Sequence, residues 1–189
     1  MKRAAVFFVE GFEEVEALTV VDILRRGDVQ TDMIAIGSNL LVTGRTDIGV
    51  RCDKTWDEAD LAAYDALILP GGMPGTRYLG EHKGLTAALK EAAAKGKIVA
   101  AICAAPTVLG ALGLLEGKPA CCYPGMEEGL LGADKREEPV CVADNIVTSR
   151  GIGTAIPFAL TLLLKLEGEA KAKEIKTSIV YDWQKDWRP

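Results

Sequence analysis

Cys103 stands where two kinds of backbone meet. The run Lys97-Ile98-Val99-Ala100-Ala101-Ile102 is strand-forming, and the run from Ala105 to Leu115 is helix-forming. Cys103 therefore falls on a tight strand-to-helix turn, the geometry of a nucleophile elbow, which projects its side chain from a sheet edge beside a helix N-terminus. Peptide N–H groups and the helix dipole at such a place favour an anion, so a thiol there is expected to shift toward thiolate, the form that attacks. The glycines usual to an elbow are absent. Free cysteine is also among the most buried residue types, so a structural cysteine is the competing reading.

Other residues have chemistry to offer the same place. Glu16 lies within Glu13-Glu14-Val15-Glu16, at the start of a helix-forming stretch. Acidic residues in a first turn commonly complement the helix dipole, and Glu13 and Glu14 are read that way. Glu16 is spaced to turn inward, where a carboxyl beside a cysteine holds a proton and passes it to a reacting carbon or oxygen. Gly71 and Gly72, after Pro70, present bare backbone N–H groups that suit an oxyanion, although a glycine pair after a strand is also an ordinary turn. Arg150 follows Ser149 at a strand end, suited to an anionic group, to a subunit contact, or simply to solvent.

The remaining candidates mostly exclude. His82 is the sole histidine, which rules out multi-histidine metal sites and leaves one distant imidazole for a Cys–His pair. Cys52, Cys121, Cys122 and Cys141 lack C-x-x-C spacing, so zinc is not expected. Neither G-x-G-x-x-G nor the P-loop pattern occurs, which argues against nucleotide cofactors. No cofactor and no metal are expected.

The elements that must position these groups alternate along the chain. Strands are expected at Ala4–Val9, Met33–Ile36, Asp65–Leu69, Lys97–Ile102 and Asn145–Thr148, with short ones at Pro119–Tyr123 and Pro139–Val142. Helices are expected at Glu13–Arg26, Lys83–Lys95, Ala105–Leu115 and Thr154–Leu166, and a short hairpin within Leu41–Lys54. Repeated β–α alternation predicts one α/β domain over residues 1–189, a mainly parallel sheet with helices on both faces. Ligands of such sheets bind beyond the carboxyl ends of the strands. Glu10-Gly11 with its following helix, the Gly71-Gly72 turn, Cys103 and Ser149-Arg150-Gly151 all converge there.

Composition narrows the partners. The 189 residues carry a net charge of −5, with 49% hydrophobic and 26% charged residues, as soluble globular proteins do. No basic cluster suggests nucleic acid or anionic membrane. Glu10 stops the apolar run from Ala4 too early for a signal peptide or a membrane span, so a cytoplasmic location is expected. An odd count of 5 cysteines fits a reducing compartment.

Four segments in order give the chain a resemblance. Glu10-Gly11-Phe12-Glu13-Glu14-Val15-Glu16, Leu69-Pro70-Gly71-Gly72, Ala100-Ala101-Ile102-Cys103-Ala104-Ala105-Pro106-Thr107 and Thr148-Ser149-Arg150-Gly151-Ile152-Gly153-Thr154 together resemble the ThiJ/PfpI superfamily, in the branch of the Parkinsonism-associated protein deglycase. The resemblance runs from about Lys2 to about Val180. It implies a flavodoxin-like three-layer sandwich, usually a homodimer, with Cys103 on the elbow and Glu16 sharing a protonated hydrogen bond with its thiolate. Backbone groups at Gly71, Gly72 and Ala104 are then the oxyanion donors, with Arg150 and Tyr123 as contacts for substrate or anion. The implied activities are conversion of methylglyoxal to lactate without glutathione and removal of early glycation adducts. Redox sensing by cysteine oxidation, with chaperone action, is the alternative.

Departures from the family pattern carry information too. The protease-like branch places a histidine directly after the cysteine, where this chain has Ala104, so a cysteine peptidase is disfavoured. Relatives near the animal protein have a histidine where this chain has Tyr123, which leaves Glu16 as the sole acid/base. Ala105 stands where a glycine is often found. The tail Tyr181–Pro189, with Trp183 and Trp187, matches no motif and is expected to pack on the body or cover part of an interface.

Overall fold

A computed structural model describes residues 1–182. Its strands are β1 (Arg3–Phe8), β2 (Gln30–Ala35), β3 (Leu41–Thr43), β4 (Gly49–Arg51), β5 (Lys54–Thr55), β6 (Ala66–Leu69), β7 (Ile98–Ile102), β8 (Pro119–Ala120), β9 (Asp134–Lys135), β10 (Val140–Ala143) and β11 (Ile146–Ser149). Its α-helices are α1 (Glu14–Arg26), α2 (Gly75–Glu81), α3 (Lys83–Ala94), α4 (Pro106–Ala111), α5 (Ala155–Glu167) and α6 (Glu169–Ser178). Residues 183–189, Trp183 and Trp187 among them, lie outside the described residues.

Seven strands form the main sheet in the order β10-β11-β7-β6-β1-β2-β5. Every neighbouring pair is parallel except β10 with β11. The central strands are continuous apolar runs because helices cover both their faces. Side chains alternate across the sheet. Ala4, Val6 and Phe8 of β1 pack with Ala66 and Ile68 of β6 and with Ala100 and Ile102 of β7, under α1 and α5. Ala5 and Phe7, Leu67 and Leu69, and Val99 and Ala101 face the other way, under α2, α3 and α4. The result is the expected three-layer α/β sandwich.

Differences from the expected elements have local causes. The strand expected from Met33 starts at Gln30, because Arg3 pairs with Gln30 at the head of the β1–β2 ladder. The expected hairpin is β3–β4, and the chain beyond it adds β5 to the main sheet beside β2. The helix expected to run to Leu115 ends at Ala111, with Leu112 as its C-cap and Gly113 turning the chain at φ 73°. Pro119–Tyr123 is strand only at Pro119–Ala120. Helices α2 and α6 were not expected. Pro74 and Gly75 open α2, where they read as turn residues, and α6 buries little beyond Ile175.

Candidate active site

The carboxyl ends of β1, β6, β7 and β11 bring the four segments together. Cys103 follows β7 directly and adopts φ 66°, the left-handed region, which costs a non-glycine residue energy and is typical of strained functional turns. Two hydrogen bonds hold the turn. The Cys103 N–H donates to the Ser149 carbonyl at 3.0 Å, and the Tyr123 N–H donates to the Cys103 carbonyl at 2.7 Å. The side chain is nearly enclosed, at 8% exposure.

Glu16 enters from the first turn of α1 and is fully buried. Its Oε2 accepts the Gly71 N–H at 3.0 Å, while Oε1 is buried without a partner of hydrogen-bonding geometry. A Cβ on Gly71 would lie 2.7 Å from Glu16 Oε2 and 3.0 Å from Cys103 Sγ, so only glycine lets this backbone pass between them. The N–H groups of Gly72 and Ala104 point at the sulfur. Of the expected donors, then, Gly72 and Ala104 serve the sulfur and Gly71 serves the carboxyl.

Burial governs the electrostatics. Loss of solvent raises the Glu16 carboxyl from its ordinary 4.5 to about 7, partly offset by the Cys103 thiol and the Gly71 N–H. Cys103 is pushed up to about 12, first by burial, then by the charge of the adjacent Glu16, against the pull of the Gly72 and Ala104 N–H groups. The expected depression of the thiol by a helix dipole is therefore corrected. The helix that follows has only 6 residues, and the neighbouring carboxylate and burial outweigh it. Between those two values the pair holds one proton, and the two groups titrate as a unit.

Glu13 and Glu14 do more than complement a dipole. Glu13 is buried and pairs with Arg45 at 3.3 Å. Glu14 Oε1 accepts the Thr46 backbone N–H at 2.8 Å and its hydroxyl at 2.6 Å. Together they fasten the β3–β4 hairpin tip over the start of α1. Arg45 was missed in the sequence because nothing marks a hairpin-tip arginine. The signal lay in Glu13, an acidic residue beside the site that needed a cation.

An open cleft of about 450 Å³ lies over the thiol, lined by Glu13, Glu16, Arg45, Cys103, Tyr123 and Arg150 among others. Tyr123 is half exposed on its rim. Arg150 is half-buried, and its Nη1 donates to the Glu137 carbonyl at 3.1 Å. His82 is elsewhere. Its Nδ1 accepts the Leu85 N–H at 3.0 Å and caps α3, with the ring edge-on to Trp56 at 4.4 Å. Cys52, Cys121, Cys122 and Cys141 are buried free thiols. Among the described residues, no group of three or more His, Cys, Asp and Glu is placed to hold a metal ion, and no helix is long and apolar enough to cross a membrane.

Gly72 is the most constrained backbone position here. It has φ 91°, and a Cβ on it would lie 2.5 Å from both the Glu13 nitrogen and the Gly11 oxygen, backbone atoms that cannot swing away. Gly72→Ala is expected to cost at least about 2 kcal/mol, roughly 5 °C or more in Tm. Calorimetry checks this, and an unchanged Tm would mean the loop relaxes freely.

A parallel sheet with a cysteine on a strained strand–helix turn, facing a buried carboxyl, defines an α/β protein of the elbow-mounted thiol class. The chain belongs to the DJ-1/PfpI family, whose model matches residues 2–165. It is 35% identical over 167 residues to Protein DJ-1 homolog B of Arabidopsis thaliana, covering 88% of this chain and 38% of that longer protein. It is 31% identical over 175 residues to the Glutathione-independent glyoxalase DJR-1.2 of Caenorhabditis elegans, covering 88% and 89% of the two. The oxidized form of Toxoplasma gondii DJ-1 superimposes with a TM-score of 0.92 at 35% identity, covering 96% of this chain and 100% of that one.

Proposed function

We propose that this protein is a cofactor-independent enzyme that converts small 2-oxoaldehydes to 2-hydroxy acids, methylglyoxal to lactate being the simplest case. The observation that carries the reading is a fully buried Glu16 carboxyl, raised to about 7, facing the Cys103 thiol. A group with a pKa near the working pH both takes and gives a proton efficiently. The relative named a glutathione-independent glyoxalase supports the same reaction class.

The sulfur adds to the aldehyde carbon, and the oxyanion so formed meets the N–H groups of Gly72 and Ala104 before it is protonated. Glu16 removes the proton from that carbon and returns one to the neighbouring ketone carbon. The aldehyde carbon is thereby oxidised and the ketone carbon reduced, with no net electron demand. The product is a thioester on Cys103. Water cleaves it, releasing the hydroxy acid and restoring the thiol.

The protein acts in the cytoplasm, where its free thiols stay reduced. It works as a homodimer. Val15 and Leu18 of α1, Ile48 of the hairpin, and Ile152 and Ile156 at the start of α5 are large apolar side chains left exposed. A second reading is an oxidant-sensing thiol, favoured because the N–H groups aimed at the sulfur also suit an oxygen added to it.

Lactate formation from methylglyoxal without glutathione tests the proposal. Multiple turnovers by the wild type, abolished in Cys103→Ser, are the expected result. Stoichiometric consumption without lactate would replace the enzyme with the sensor thiol, and full turnover in Cys103→Ser would overturn the role of the thiol.

A further inference from the structure

The cleft holds two guanidinium groups in different electrostatic states. Arg45 is neutralised by Glu13 at 3.3 Å. Arg150 forms no ion pair among the described residues. Its Nη1 donates to a neutral acceptor, the Glu137 carbonyl at 3.1 Å, and its backbone N–H to Thr154 Oγ1 at 3.2 Å. Those contacts fix the side chain without cancelling its charge. Glu127 feels the Arg150 charge, but its Oε2 is engaged by the Gly125 N–H at 2.9 Å; Glu13 and Glu16 line the same cleft without pairing with Arg150. Arg150 thus offers its remaining N–H donors as a partly desolvated, uncompensated cation in the cavity that Cys103 opens into.

We infer that Arg150 is a specificity-determining residue that receives a carboxylate on the substrate, so that the preferred substrates are 2-oxoaldehydes bearing a carboxylate at the end remote from the aldehyde. The inference rests on the dicarbonyl reading above and names its substrate class. The planar guanidinium suits a carboxylate through paired N–H donors. The cleft, at about 450 Å³, has room for several carbons between the reacting aldehyde and the bound anion. With 4,5-dioxopentanoate as probe, addition, proton shift and hydrolysis consume one water and give 2-hydroxyglutarate.

Two measurements test it. The first compares kcat/KM for 4,5-dioxopentanoate and methylglyoxal. The wild type is expected to prefer the anion by about tenfold or more, and Arg150→Gln to lose that preference mainly through KM, with Arg150→Lys restoring part of it. The second needs no turnover. It is the ratio of Cys103 alkylation rates by iodoacetate and by iodoacetamide, expected to fall by about tenfold in Arg150→Gln and to recover partly in Arg150→Lys. A ratio unchanged in Arg150→Gln, or one that Arg150→Lys does not recover, overturns the inference. Cys103-dependent turnover of both dicarbonyls without preference overturns it and leaves the proposed reaction standing. A falling alkylation ratio with no turnover of either dicarbonyl keeps the anion contact and overturns the reaction.

Discussion

At pH 8, Glu16→Gln is expected to melt well above the wild type while retaining about one part in a hundred or less of its turnover. Both effects come from one buried carboxyl. Its pKa is about 7 in the folded protein against an ordinary 4.5, so the folded state keeps a proton that the unfolded chain releases between those values. The stability that the neutral carboxyl contributes is full below pH 4.5 and is lost as pH rises through 7. Above pH 7 the wild type buries a negative charge among apolar neighbours. Glutamine has the same shape, still accepts the Gly71 N–H and never ionises. The difference at pH 8 amounts to about 3 kcal/mol, or roughly 5 to 10 °C in Tm. At pH 4 the two proteins are expected to melt together. The activity loss follows because an amide cannot carry the proton between the two reacting carbons. Scanning calorimetry at both pH values, with lactate assays alongside, checks the pair of effects. A variant that melts lower at pH 8 and still turns over would sink the argument.

The features most legible in the sequence are those built from local pattern. β1, β6 and β7 announce themselves because strands covered on both faces need no polar alternation. α1 and α5 show apolar stripes that the sheet buries. β2 is only half visible for the opposite reason. Its first half, Gln30-Thr31-Asp32, reads as polar, yet Asp32 is tolerated at the sheet because Lys54 at 2.7 Å and Tyr64 at 2.6 Å both donate to it. Those partners come from distant chain, and no local window contains them.

The same distinction runs through the site. Glu16, Cys103 and Arg150 can be placed at one sheet edge from strand order alone, since each follows an expected strand. The pairing of Glu16 with Cys103 needed the resemblance carried by four motifs. The direction of the thiol shift was beyond local reading. A turn and a short helix suggest stabilised thiolate, but the larger influences are burial and the charge of Glu16, and both exist only after the chain folds. Arg45 was hidden likewise, because its meaning depends on Glu13 across the hairpin.

The proton shared by Glu16 and Cys103 yields the second large expectation. In the wild type, Glu16 gives up its proton at about 7, and burial together with that new charge holds the Cys103 thiol up at about 12. The rate of Cys103 alkylation by iodoacetamide is therefore expected to climb about tenfold per pH unit through pH 10, with no plateau near 7. In Glu16→Gln the carboxylate charge is gone, so burial alone raises the thiol, against the pull of the Gly72 and Ala104 N–H groups. At pH 8 the variant is expected to alkylate at least about tenfold faster than the wild type even though it has lost turnover. A wild-type rate that instead rises through about pH 7 and levels, faster at pH 8 than the variant, would show that the shared proton moves to the carboxyl and leaves thiolate. Glu16 would then make the nucleophile as well as carry the proton from carbon to carbon. The profile thus separates two roles that a loss of turnover alone would merge.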